Sequence, residues 1–407
     1  MLKTKYRLSG QTKLLISDQV LRKICEIFFE LFLSTYMYKI SEANGVLYLS
    51  LYQVIRWLTT CILVFGVSRI INHYNKVWIY RLGVTIKLSI ILLVALLGPN
   101  IVPLFWLIAI LDGVMVASNG YIVNYFESEN VPKNEMIRYV GLGNAFSSLT
   151  NTLVPIALGS SIFINSFETT AFALTIVVAI ELLVCFGIKG KRPENRRHKL
   201  NYHGFLKLAA HDRNYRSLCL QQTLSGINRN GVMSLLISVL IFQSVGNELS
   251  FGSWTSIFSL SGIIAMLIFS RFYKDRYRVV TQIAAGLAVI IGCLPLFFEV
   301  NFINIIVFNI IFYTLVRSME KIVHIDLINY SKTKKYRTKY LIEFFSVREI
   351  FLTIGRVIGY GALALVAFLN LGTDGLKGVL ILIMASIALM AIVSARYLKK
   401  SQKYATI

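Results

Sequence analysis

The chain has 407 residues, is 56% hydrophobic and carries 42 Lys and Arg against 20 Asp and Glu, for a formal net charge of +22; its mean hydropathy is +0.65. A soluble domain must wet its surface, which this composition excludes. The basic excess is not a nucleic-acid footprint either, because Lys and Arg sit mainly in short loops between apolar runs, where they set membrane topology.

Twelve apolar runs reach or approach the ~20 residues that cross a ~30 Å hydrocarbon core. They lie roughly at 17–40, 46–68, 77–98, 102–126, 136–160, 165–188, 216–242, 250–272, 279–298, 302–327, 342–370 and 375–397. Open sheet edges do not survive in lipid, so these runs are read as helices. The first is the most polar, carrying Arg22, Lys23, Glu26 and Glu30; an amphipathic surface helix is the alternative there. The basic loops are the N-terminus, Arg69–Arg81, Lys133–Arg138, 189–216, Arg271–Arg278, Lys332–Lys339 and Arg396–Lys403, and the loops that alternate with them contain only Lys377 as a cation. That alternation demands an even number of spans and puts both termini on the cytoplasmic side. The longest polar run, Lys189 to Arg216, divides the chain into an N-terminal six-helix half (1–188), a basic cytoplasmic linker (189–215) and a C-terminal six-helix half (216–407). Within the linker, Tyr202–Ala210 has the pattern of a short amphipathic helix that would lie on anionic lipid; a tether with no binding role is the alternative there. The five cysteines are scattered through apolar segments without metal-ligand spacing, so neither a disulfide framework nor a zinc site is expected. No short apolar region with a small-residue cleavage site follows the basic start, so no cleavable signal peptide is expected.

Two loops repeat. Ser68–Lys76, with Arg69 second, links spans two and three; Ser270–Arg278, with Asp275-Arg276 inside it, links spans eight and nine and begins 202 residues later. Twelve spans, a 6+6 division, a basic middle loop and short basic loops after spans two and eight resemble the major facilitator superfamily of transporters. Asp275-Arg276 fits the acidic-basic core of that family's loop pattern, and His73 stands at the matching position of the first copy. Pro155 and Gly159 only hint at the glycine-proline signature of the fifth span of many drug antiporters. The resemblance implies two pseudo-symmetric halves around a central cavity, alternating access, a monomer, and conformational roles for Arg69, Asp275 and Arg276.

Charges at membrane depth are costly and mark function by default. At 1.5 Å rise per residue, Glu30 lies about 13 residues into span one, Asp112 about 10 into span four, Arg229 about 13 into span seven and Arg317 about 15 into span ten. The resemblance implies that these four spans line the cavity. In span eleven, Arg356 shares a face with Glu349, and Gly355 and Gly359 form a small-xxx-small pair. Asp112, Arg229, Arg317 and Arg356 are therefore expected to bind substrate. Glu26 and Glu30, one turn apart, repel in a low dielectric and are expected to couple protons. Arg56, Glu181, Lys321, Arg348 and Glu349 are weighed chiefly as structural ion-pair partners.

The expectation is a proton-coupled permease of the plasma membrane for a small, possibly anionic or amphiphilic solute or drug, with membrane lipids as its surroundings. It has no P-loop or soluble catalytic motif, needs no cofactor or bound metal, and is not an enzyme. The alternatives are a flippase for a lipid or lipid-linked glycan on the same fold, a membrane-embedded enzyme, and a non-transporting receptor or immunity protein.

Overall fold

The computed structural model describes residues 8–41, 44–73, 76–132, 135–189, 200–228, 232–272, 278–299, 301–316, 323, 326–327, 330 and 340–405. Among them every regular element is a helix and no strand occurs. In order these are α1 (Gly10–Ile27), a π-helical segment (Phe28–Leu33), α2 (Ser34–Ile40), α3 (Gly45–His73), α4 (Lys76–Leu97), a 310 segment (Gly98–Leu104), α5 (Phe105–Asn130), α6 (Met136–Ile164), α7 (Phe167–Gly187), α8 (Tyr202–His211), α9 (Arg213–Asn228), α10 (Val232–Val245), α11 (Glu248–Phe272), α12 (Arg278–Phe298), α13 (Phe302–Ile311), a second π segment (Phe312–Val316), α14 (Leu341–Phe368) and α15 (Gly372–Ala405).

Helices begin where a short polar side chain can accept from first-turn N–H groups. Ser9 accepts from Thr12, Ser166 from Thr169, Asn201 from Gly204, Asp212 from Asn214 and Tyr215, Asn247 from Ser250, and Asn301 from Asn304. Helix α4 ends at Leu97 because Gly98 turns left-handed (φ +50°) and Pro99 offers no N–H. Many hydroxyls inside the apolar helices are satisfied by their own helix. Thr150, Thr152, Ser160, Thr223, Ser244, Ser253 and Thr255 each donate to the carbonyl four residues back.

Seven stretches of the described residues are long and apolar enough to span a membrane: Gly45–Ile71, Lys76–Gly120, Gly141–Ile164, Phe167–Gly187, Val279–Phe298, Leu341–Phe368 and Asp374–Tyr397. The second holds both α4 and α5. The twelve spans expected from the sequence are not reached among the described residues. Helix α1 is too polar, with Asp18, Arg22, Lys23 and Glu26 on it. The apolar segments Leu235–Val245 and Phe302–Leu315 are short in the described residues. Ile62, Leu96, Ile164, Leu183, Phe298 and Ile303 are each 70% exposed or more, an apolar surface that only hydrocarbon can solvate. The chain is an integral, multi-pass membrane protein.

The chain forms two compact units, Met1–Ile40 with Thr59–Arg197 and Asn247–Ser256, and Ser41–Leu58 with His198–Gly246 and Ile257–Ile407. The boundary at Arg197 lies in the basic run, and α3 and α11 are each divided between units. In the first unit α4 packs against α5 and α7, and α1 against α6 and α7. In the second, α9 packs against α14 and α15, and α12 against α15 and α13. Helix α8 is the short helix expected at Tyr202–Ala210. Its apolar residues Phe205 and Ala209 are buried with Tyr215, Phe344 and Val347, so that face is covered by protein.

At the start of α6, Glu135 accepts from the Thr12 hydroxyl at 2.6 Å and the Ser9 N–H at 3.1 Å. These bonds, Thr12's first, hold its carboxyl below the usual 4.5. A group lowered on folding contributes stability that is complete above 4.5 and lost as pH falls through its folded value. Thr12→Val is expected to return the Glu135 titration towards 4.5 in carboxyl-resolved NMR. An unchanged titration would remove that cause.

Candidate functional site

The first unit buries a polar layer between three helices. On α1, Asp18, Arg22 and Cys25 follow at i, i+4 and i+7, so they share a face. Tyr80 and Lys87 lie seven apart on α4, and Glu181 and Cys185 four apart on α7. The Lys87 Nζ reaches Glu181 Oε1 at 2.6 Å, with both side chains almost wholly buried. The Cys25 thiol donates to the other Glu181 oxygen at 3.9 Å. Beside them the Tyr80 hydroxyl donates to Asp18 Oδ2 at 2.5 Å and the Cys185 thiol to Asp18 Oδ1 at 3.3 Å. Each buried carboxylate thus holds one thiol, and Lys87 supplies positive charge directly to Glu181. A buried ion is tolerated only with such partners, since the effective desolvation cost is several kcal/mol per ion. The ends of these helices are tied as well. Gln11 donates to the Gly187 carbonyl at 3.1 Å and Arg81 to the Phe186 carbonyl at 3.1 Å.

The second unit holds a guanidinium cluster. Arg356, buried on α14, donates to Glu349 Oε1 at 2.9 Å, and its guanidinium lies 3.5 Å from the centre of the Trp57 ring. Arg56 lies 4.8 Å from the same ring. Arg348 donates to Gln222 Oε1 at 2.9 Å and stands 4.0 Å from Glu349. A cation over a desolvated indole gains ~2 kcal/mol or more.

Of the residues expected from sequence, Arg356 and Glu349 come together as their spacing requires. Asp112 is fully buried on α5, where Thr60 donates to the neighbouring Gly113 carbonyl at 3.2 Å. Glu26 forms ion pairs on its own helix with Lys23 at 3.1 Å and Arg22 at 3.7 Å. Glu30 is exposed, within the π segment that interrupts the α-helical ladder. Arg69 is exposed towards the end of α3. Arg229, Arg317, Asp275 and Arg276, with Glu320, Lys321 and His324, lie outside the described residues. Sequence reasoning passes over Asp18, Tyr80, Lys87, Cys25 and Cys185. The available signal is Lys87 itself, an unexplained cation halfway along the apolar α4. Among the described residues no three His, Cys, Asp or Glu side chains are grouped to hold a metal ion.

The all-helical membrane fold, with its buried charged layer, can be set beside known proteins. No protein-family model matches the chain. It is 23% identical over 336 residues to the uncharacterized protein YqgE of Bacillus subtilis (strain 168), covering 80% of this chain and 76% of that protein. Its fold is similar to a bacterial homologue of the iron transporter ferroportin, solved inward-facing (TM-score 0.69, 14% identity, 97% of this chain and 100% of that one). It is also similar to a bacterial homologue of ferroportin solved outward-facing (TM-score 0.62, 13% identity, 96% and 99%) and to a bacterial metal transporter (TM-score 0.61, 12% identity, 96% and 99%). These neighbours have the major facilitator fold, so the resemblance read from the sequence holds at the level of fold.

Proposed function

We propose that the chain is a secondary active transporter that moves a small ionic solute across the plasma membrane by alternating access, through twelve helices in two six-helix halves with both termini cytoplasmic. The observation that carries this reading is the buried Lys87–Glu181 pair beside Asp18, on three helices of one unit. Charges are kept at membrane depth where an ion has to be handled.

A divalent metal cation is the favoured solute. Asp18, Glu181, Cys25 and Cys185 carry donor types that such ions take, though in this conformation they are not gathered into one ligand set and a helix rearrangement would have to bring them together; the similar folds belong to metal transporters. In this conformation Lys87 compensates Glu181, so the ammonium acts as an internal stand-in for the cargo. An entering cation would compete with it, which links binding to helix rearrangement. Asp112 on α5 is a further acidic candidate. Glu30 remains the better proton-coupling candidate, because Glu26 is already neutralised on its own helix.

The second reading is an anion held by Arg356, with Arg229 and Arg317. The guanidinium stacked on Trp57 favours it, since arginine stays charged and pairs bidentately with carboxylate or phosphate.

Thermal stability of the purified protein against Mn2+, Co2+, Fe2+, phosphate and small carboxylates separates the two. A ligand at a hundredfold excess over its Kd adds about 2.7 kcal/mol to the folded state. The metal reading expects stabilisation by a divalent cation that disappears in Glu181→Gln and Asp18→Asn. Stabilisation by an anion alone, lost in Arg356→Gln, would transfer the site to the second unit.

A further inference from the structure

A cavity of about 390 Å3 opens between the first turns of α9 and the last apolar turn of α15, lined by Arg213, Arg216, Ser217, Leu220, Arg396 and Tyr397 among others. We propose that it seats the phosphate headgroup of an anionic membrane lipid.

On α9, Arg213, Arg216, Ser217 and Leu220 recur at three- and four-residue steps, so they line one face of the helix. Helix α15 packs against α9 and contributes Arg396. All three arginines are exposed, and among the described residues none is bonded to a carboxylate. The nearest carboxylate in sequence, Asp212, is committed elsewhere. It accepts the Tyr330 hydroxyl at 2.7 Å and caps α9 through the N–H groups of Asn214 and Tyr215. That cap also occupies the helix terminus, so what a ligand meets in the cavity is guanidinium. Three planar forks around one opening suit a phosphate monoanion or diester.

The depth of the cavity points to lipid. The apolar stretch Asp374–Tyr397 ends at the cavity's own Tyr397, which puts its mouth at the boundary between hydrocarbon and water, where headgroups lie. Below the arginines, Leu220 is 43% exposed on α9, and Val393 lines the cavity from α15. A polar mouth over an apolar wall matches an amphiphile. Inorganic phosphate would use the arginines and leave the wall idle. Basic pockets between helices at this level are a recurrent form of headgroup recognition.

The test uses the full chain, delipidated in neutral detergent, with binding counted by native mass spectrometry. Phosphatidylglycerol, phosphatidylcholine and inorganic phosphate are the probes. The wild type is expected to bind phosphatidylglycerol and not phosphatidylcholine, and millimolar phosphate is expected not to displace it. Arg216→Gln with Arg396→Gln is expected to weaken phosphatidylglycerol binding roughly thirty-fold with the lipid-free melting temperature unchanged. Leu220→Gln keeps every arginine and is expected to weaken the lipid as well; it decides the matter if the double variant does not fold. Equal binding of phosphatidylglycerol by variants and wild type, or of both lipids by the wild type, would overturn the site. Displacement by inorganic phosphate at matching affinity would overturn the lipid and leave a free-anion site.

Discussion

Replacing Lys87 by methionine is expected to destabilise the protein by about 3–5 kcal/mol, among the largest effects that losing one buried side chain can have. Lys87 is 2% exposed and Glu181 not at all, and their contact is 2.6 Å. Without the ammonium, Glu181 keeps only the Cys25 thiol as a described hydrogen-bond donor, too weak to hold a carboxylate away from water. The double variant Lys87→Met with Glu181→Met removes both charges and is expected to recover most of the loss, because a buried ion pair replaced by apolar residues of similar volume is often neutral. Melting temperatures of the two singles and the double form a cycle that isolates the coupling. A Lys87→Met protein as stable as the wild type would show that the pair compensates nothing. The rescued double would also separate stability from function: on the transport reading it folds and does not transport.

Gly355→Leu is expected to prevent correct assembly of α9 on α14, with loss of the monodisperse peak in size exclusion. The two helices cross backbone to backbone. A Cβ at Gly355 would fall on the Thr223 carbonyl, one at Gly226 on the Leu352 carbonyl, and one at Gly359 on the Val232 methyl. Overpacking a core with flexible neighbours costs ~1–3 kcal/mol; here the obstacle is backbone, so the helices themselves must separate. Gly355→Ala is expected to lower the melting temperature already. Gly361, on the same helix, has open space where its Cβ would go. Gly361→Ala is therefore expected to be neutral or slightly stabilising, as the helix propensities dictate. Equal tolerance at Gly355 and Gly361 would contradict the crossing. In the other unit, Gly159 and Gly252 meet the Glu248 and Pro155 carbonyls in the same way and carry the same expectation.

Much of the fold is legible in the sequence. Apolar runs bounded by Ser, Asn, Asp and Gly mark helices, because lipid leaves the backbone no other partner. The seven-residue step from Glu349 to Arg356 and the four-residue step from Gly355 to Gly359 predict a shared face and a close approach. What spacing does not reveal is partnership across helices. Lys87 and Glu181 stand 94 positions apart, and periodicity says which face each occupies but not which helix lies opposite. Glu26 and Glu30 show the opposite difficulty. Their four-residue step suggests mutual repulsion, whereas Glu26 is drawn to Lys23 and Arg22, and the helix changes to π geometry at Phe28. Helix α1 also illustrates why span counting is harder than helix finding: its polarity serves a buried layer in the first unit and so hides its apolar face.

The most direct measurement is flux of Co2+ or Fe2+ into proteoliposomes carrying the wild-type protein, with a metal-sensitive dye inside and an imposed pH or metal gradient. Saturable, gradient-driven entry above protein-free vesicles is predicted, reduced roughly tenfold or more in Glu181→Gln while that variant remains folded. Entry that is indifferent to Glu181→Gln and Asp18→Asn, or folded wild-type protein that passes no divalent metal under any gradient, would contradict metal transport through the buried layer.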